Sequence, residues 1–105
     1  GPPATLDEIF SSRKIEPSLG RRAMASLEKA GEAVRITKEL GFSTEALSQF
    51  EQAVRTRLAD GASASAAELR DAMGTTRKYA IPLLEYFDDK GITRRSGDER
   101  VLTGR

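Results

Sequence analysis

Six cations crowd into residues 74–102 of this sequence, GTTRKYAIPLLEYFDDKGITRRSGDERVL, and five of them, Arg77, Lys78, Arg94, Arg95 and Arg100, sit at a helix start or in a hairpin. Guanidinium and ammonium groups bind phosphate through charge-assisted hydrogen bonds, and arginine does so with a planar fork. Arg77 and Lys78 follow a Thr75-Thr76 pair of helix-capping type and open an apolar helical stripe. Cations at a helix N-terminus are disfavoured by about 0.3–1 kcal/mol, and Asp88 and Asp89 near the other end are equally misplaced. A helix built for stability alone would have these charges reversed. One reading is that Arg77, Lys78 and the free N–H groups together face phosphate; the other is a solvated basic turn. Tyr79 either stacks on an unpaired base or packs its ring on the core.

The remaining arginines belong to a hairpin. Arg94, Arg95 and Arg100 flank Ser96-Gly97-Asp98-Glu99, where Gly97 accepts a positive φ without strain and Asp98 suits the turn. Strand alternation sends Arg94 and Arg95 to opposite faces. One of the arginines can pair with Asp98, Glu99 or a helix carboxylate, and Arg100 can cross the hairpin to join whichever stays exposed. A basic wing beside a basic helix start makes a two-sided clamp; exposed Arg–Glu pairs of little energetic value are the alternative.

Composition narrows the possibilities. The 105 residues suffice for one ordinary domain or two very small ones, and 38% apolar with 31% charged residues reads as a globular chain. With no Cys and no His, disulfides, thiol or imidazole nucleophiles and ordinary zinc sites are excluded, and no metal or cofactor is expected. A conventional catalytic triad needs His, and no phosphate-cradling glycine loop is present, so the chain is not read as an enzyme. No apolar run approaches the roughly 20 residues that span a bilayer, and a cytoplasmic, monomeric fragment is expected. Gly1-Pro2 reads as a cleavage scar. A net charge of +1 means that any nucleic-acid binding depends on where charges sit.

The elements that must position the cations repeat at an offset of about 60 residues. Thr5 to Glu8 and Ser65 to Glu68 both fit a capping box. Leu27-Glu28-Lys29-Ala30-Gly31 matches Phe87-Asp88-Asp89-Lys90-Gly91, a helix end closed by glycine with strand candidates after each. The first copy predicts a short helix over about 6–11, a longer one over 18–30 and a hairpin over 33–42. The second predicts helices over 44–59, 66–73 and 76–90 and a hairpin over 92–103, with Ser43 as N-cap, a Phe42–Leu47 staple, and 62–64 as a short edge strand. Pro82 removes the bond to the Lys78 carbonyl and costs about 3 kcal/mol in a helix interior. Either the first turn kinks and tightens, or a new helix begins at Pro82. Arg21 and Arg22 occupy the equivalent helix of the first copy, whose hairpin carries Arg35 and Lys38 but also Glu32 and Glu39, a weaker signal for nucleic acid.

Helix, helix, hairpin is the winged helix-turn-helix order. The fold class expected is therefore mainly α with small β-hairpins, one complete winged helix over 42–105 preceded by a truncated one over 1–41. The runs Arg77-Lys78-Tyr79-Ala80, Leu84-Glu85-Tyr86-Phe87-Asp88, Thr93-Arg94-Arg95 and Gly97-Asp98-Glu99-Arg100-Val101-Leu102 resemble the last winged helix of the bacterial selenocysteine-specific elongation factor. Residues 1–41 are similar, more weakly, to the later part of the preceding unit, the third of the family's four. The resemblance implies recognition of the mRNA hairpin that marks a UGA codon for selenocysteine. It assigns that contact to Arg77, Lys78, Arg94, Arg95 and Arg100, with Tyr79, Gly97 and Asp98 as further positions. It also implies that GTP, selenocysteyl-tRNA and the ribosome engage a translation-factor body not contained in this sequence. The alternative is a DNA-binding winged helix of a transcription regulator, reading the major groove with its third helix; a protein-protein adaptor is a third reading.

Overall fold

The computed structural model describes residues 17–104, with side chains from Arg22 onward. The expected helix over 6–11 and the Thr5–Glu8 capping box lie outside the described residues. The chain divides into two compact units between Ser48 and Gln49.

In the first unit, helix α1 (Pro17–Lys29) begins with proline, whose missing N–H costs nothing at a first helical position. It ends at Gly31, φ 77°. The Gly31 N–H donates to the Glu28 carbonyl and the Glu32 N–H to the Leu27 carbonyl, the paired bonds of a Schellman stop. Strand β1 (Ala33–Thr37) then pairs antiparallel with β2 (Leu40–Ser43). Met24 and Ala33 form a small buried cluster with Leu27 against it. Gly41 is also buried, and a Cβ there would overlap the Met24 Cε, so glycine is what lets side chain and strand meet.

Helix α2 (Thr44–Arg57) starts as expected: the Ala46 N–H donates to the Ser43 hydroxyl at 3.1 Å. Phe42 and Leu47, the pair spaced for a staple, are both buried. The division between the units falls within this helix. Phe50, Val54 and Leu58 carry its apolar stripe into the core of the second unit. A 3₁₀ turn, Ala59–Gly61, follows, with Asp60 left-handed at φ 59°.

The second unit continues with β3 (Ala64–Ser65), α3 (Ala66–Met73), α4 (Arg77–Asp89), β4 (Thr93–Ser96) and β5 (Glu99–Leu102). The three strands form one sheet in the order β3-β5-β4. The edge strand lies later and is shorter than 62–64, because Ala64 and Ser65 are the residues that pair with Arg100 and Glu99. The Ser65–Glu68 capping box is complete: the Glu68 N–H donates to the Ser65 hydroxyl at 3.1 Å, and the Ser65 N–H to the Glu68 carboxylate at 3.0 Å. In α4, Ala80, Leu83, Leu84 and Phe87 are all buried at helical spacing. Each large apolar side chain so buried contributes about 1.5–3 kcal/mol, which makes this stripe, with Phe50, Val54, Leu58 and Leu69, the source of the unit's stability.

Pro82 lies inside α4 without ending it, so the reading in which a new helix begins at Pro82 is corrected. The helix already starts at Arg77. The Thr76 carbonyl accepts from the Ala80 N–H at 2.8 Å, the ordinary α-helical bond, and also from the Tyr79 N–H at 3.1 Å, an i→i−3 bond that tightens the first turn ahead of the proline. The Thr75-Thr76 pair also needs correction. Thr76 takes the N-cap position but its hydroxyl makes no capping bond, and the Thr75 hydroxyl is buried without a hydrogen-bond partner.

The internal repeat extends to hydrogen bonding. Gly91, φ 74°, closes α4 as Gly31 closes α1, with Gly91 donating to Asp88 and Ile92 to Phe87. Thr44 donates through its N–H to Glu32 and through its hydroxyl to Gly31; Thr103 does the same to Ile92 and Gly91. Helix ends match at an offset of 60 residues and hairpin exits at 59. The register irregularity between Arg35 and Thr37 takes up the odd residue.

Candidate nucleic-acid interface

The wing is a two-residue hairpin. Ser96 pairs with Glu99, and Gly97 at φ 66° leads the turn, the arrangement in which glycine occupies the first central position. Asp98 is exposed at its tip. Arg94 lies opposite Val101 and Arg95 opposite Arg100, so the two neighbouring arginines do face opposite ways. Both are exposed, and neither has an ion pair or side-chain hydrogen bond among the described residues.

Arg100 behaves differently, and the expectation that it joins an exposed clamp is corrected. It is only 7% exposed. Its Nη2 and Nε donate to Asp88 Oδ2 at 2.8 and 3.1 Å, and Nε also reaches Oδ1 at 3.1 Å. The Thr93 hydroxyl, on a residue 1% exposed, donates to Asp88 Oδ1 at 2.7 Å. Arg100 points inward because β5 alternates: Arg100 shares its sheet face with Thr93, which is buried over the end of α4. Asp88 is thereby accounted for as the partner of two groups, so of the two misplaced acids only Asp89 remains without one among the described residues.

At the other side, Arg77 and Lys78 are exposed in the first turn of α4, which contains no acid. Arg77 has no ion pair or side-chain hydrogen bond among the described residues. Lys78 Nζ lies 5.5 Å from the centre of the Tyr79 ring, a cation–π contact. Tyr79 is half-buried and makes a further interaction, so its ring is not a bare stacking platform.

The N-terminus of α3 links helix start and wing. Ser65 pairs with Glu99 of the wing, and the Ser63 hydroxyl donates to the Glu99 carboxylate at 2.9 Å. The next residues, Ala66 and Ala67, line a cleft of about 180 Å³ with Arg70, Arg77, Ala80 and Ile81. Arg77 and the outer part of the wing thus flank one short stretch, 65–67. Arg70 was not singled out from the sequence. Its signal was its place one turn after Ala66 and Ala67 on the same face of α3, and in the structure it also touches Asp71 at 3.2 Å.

The first unit's wing is arranged otherwise. Arg35 Nε and Nη2 donate to Glu28 Oε1 at 3.4 and 3.3 Å, and Nη1 donates to the Lys38 carbonyl at 2.8 Å. Its strand arginine is occupied by its own helix, which fits the weaker nucleic-acid signal of that hairpin. Arg22 is exposed on α1, and the Arg21 side chain lies outside the description.

Residues 56–102 match the family model for the winged helix of elongation factor SelB. Over these residues the chain is similar to a SelB winged helix. It is 32% identical over 90% of its length to the selenocysteine-specific elongation factor of Haemophilus influenzae, and 33% identical over 78% to that of Escherichia coli. The chain spans only 15% and 13% of the length of those relatives. Its fold is similar to the mRNA-binding domain of E. coli SelB solved in complex with SECIS RNA, with a TM-score of 0.76 and 28% identity over 92% of this chain and 80% of that one. A second likeness, at a TM-score of 0.64 and 35% identity, is to bacterial selenocysteine-specific elongation factor EF-Sec, covering 74% of this chain and 13% of that one. The winged-helix architecture, mainly α with small antiparallel sheets, accords with these SelB-type relatives. Among the described residues no helix is long and apolar enough to cross a membrane.

Proposed function

We propose that this chain binds the RNA hairpin that directs selenocysteine incorporation at UGA codons, through the first turn of α4 and the wing. The observation that carries the reading is the set of exposed cations Arg77, Lys78, Arg94 and Arg95 on a SelB-type winged helix, with Arg77 and the wing flanking the same end of α3. The deep major groove of A-form RNA excludes side chains, so a protein of this size meets a hairpin through backbone shape and exposed loops. Four cations on a nearly neutral chain suit such a compact target better than a long duplex. Gly97 and Asp98 shape the wing tip, and Tyr79 supports Lys78. Arg100 belongs behind the contact surface.

On this reading residues 42–105 form the complete RNA-binding winged helix, with α2 as its first helix, and residues 1–41 a partial one before it. The function is binding without catalysis or cofactor. GTP, selenocysteyl-tRNA and the ribosome are partners of the remainder of a longer factor acting in the cytoplasm. The test is a titration of the chain against a SECIS RNA hairpin, its duplex stem alone and duplex DNA of equal length. Preference for the hairpin supports the reading, and equal or tighter binding to the DNA duplex rejects it.

A further inference from the structure

We infer that Asp88 and Arg100 are positioning residues for the RNA contact: their ion pair locks the wing to α4 and leaves Arg95 available beside Arg94. This rests on the proposed hairpin-RNA reading and adds roles to two residues on which that reading does not depend. Arg95 and Arg100 lie directly opposite each other across the two strands, on one face of the sheet. Like charges so placed repel, unless one is neutralised. Asp88 neutralises Arg100, taking its Nη2 at 2.8 Å and its Nε at 3.1 Å, and leaves Arg95 exposed. The same carboxylate accepts from Thr93 at 2.7 Å. One acid in the last turn of α4 therefore ties down the first residue of β4 and the middle of β5 together.

The repeat supplies an internal comparison. Glu28 stands 60 residues before Asp88, and Arg35 stands 60 before Arg95. In the first unit the helix carboxylate takes the arginine of the first wing strand, Arg35, at 3.3 Å. In the second it takes the arginine of the second strand, at 2.8 Å. The first wing has no second-strand arginine, so its helix carboxylate occupies the one arginine that wing has; in the second wing Arg100 takes the carboxylate and Arg95 is left outside. The placement also explains an acid at the unfavourable end of a helix, where stability alone disfavours it.

The experiment measures SECIS RNA affinity of the 105-residue chain for wild type, R95A, R100K, the charge-removing pair D88N/R100M, and the last two each combined with R95A, with thermal melts on every sample. R100K keeps the charge but loses the two-pronged grip on Asp88; D88N/R100M removes both charges and leaves neither unpaired. Both are expected to fold and to bind about tenfold more weakly than wild type. R95A is expected to weaken wild type about tenfold but each altered background less than threefold, because Arg95 there is no longer held in place. Bulk electrostatics alone predicts unchanged binding for R100K, and that result overturns the inference. An R95A loss equal in all backgrounds overturns it too, while leaving the RNA reading intact. Should D88N/R100M not fold, R100K and its combination with R95A decide the matter. Absence of SECIS RNA binding by wild type rejects the RNA reading and this inference with it.

Discussion

At the scale of single residues, exposure separates the cations of the helix start and the wing into two kinds. Arg77 and Lys78 are exposed without roles in the core, so Arg77→Ala and Lys78→Ala are expected to leave the melting temperature nearly unchanged. Each should weaken hairpin binding by on the order of 1.5–3 kcal/mol, the range for hydrogen bonds to charged groups. Titrations and melts on the same samples check this; unchanged affinity with an intact fold identifies a solvated turn. Arg100→Met is expected to behave in the opposite manner. It leaves Asp88 without its cation in a largely enclosed place and should cost about 3 kcal/mol of stability, the lower end for a broken buried pair because the carboxylate keeps some access to water. A denaturant titration reads that loss, and a variant as stable as wild type contradicts it.

At the scale of elements, the start of α3 and the middle of α4 are the informative points. The Ser65 backbone and hydroxyl, followed by Arg57 at 3.0 Å, hold the Glu68 carboxyl below its ordinary value. A carboxyl lowered on folding adds stability that is fully present above the unfolded value near 4.5, and this is lost as pH falls through the lower folded value. Ser65→Ala removes the hydroxyl that caps the Glu68 N–H and is expected on that ground to cost about 0.5–2 kcal/mol at neutral pH; it should also make the melting temperature fall less steeply in acid. Melts between neutrality and about pH 3 show whether the difference between variant and wild type shrinks with acid. Pro82 tests the helix. Alanine there restores a donor to the Lys78 carbonyl, against a loss of about 0.4–1 kcal/mol of unfolded-state restriction. The net expectation is a gain of roughly 1–2 kcal/mol, less than the full proline penalty because the tightened first turn already absorbs part of it. A Pro82→Ala variant that melts lower than wild type shows that the proline geometry itself is required.

At the scale of the whole molecule, the proposed function raises the question of how a chain of net charge +1 would bind a polyanion. Acids and bases cancel in the total but not in space. Arg35, Arg55, Arg57, Arg70 and Arg100 are each paired with a carboxylate. Arg77, Lys78, Arg94 and Arg95 are not. If these four neutralise phosphates, the logarithm of affinity should fall with the logarithm of salt at a slope of roughly −3, taking about 0.7–0.9 per phosphate. Arg94→Ala or Arg95→Ala should each reduce that slope by nearly one unit. Affinity measured across a salt series gives the slope directly, and a flat response with measurable binding rejects an electrostatic contact.

Element order was legible because each local signal here is strong and short-range. Ser43 before α2, the Ser65–Glu68 box, the glycines at 31 and 91 and the stripe from Ala80 to Phe87 place helices through contacts within a few residues. The same locality made the repeat visible from helix ends alone. The opposite facing of Arg94 and Arg95 and the glycine-led turn at Gly97 also followed from strand period and backbone sterics. What local pattern could not decide was the partner of each charge. Asp88 and Arg100 are twelve residues apart, and their meeting depends on how the wing folds back along α4, which fixes whether Arg95 or Arg100 is the one enclosed. The place of Arg70 beside Arg77 likewise depends on the packing of two helices. Charge pairing across elements is a property of tertiary geometry, because a long side chain commits to a partner only after the backbones that carry both have been brought together.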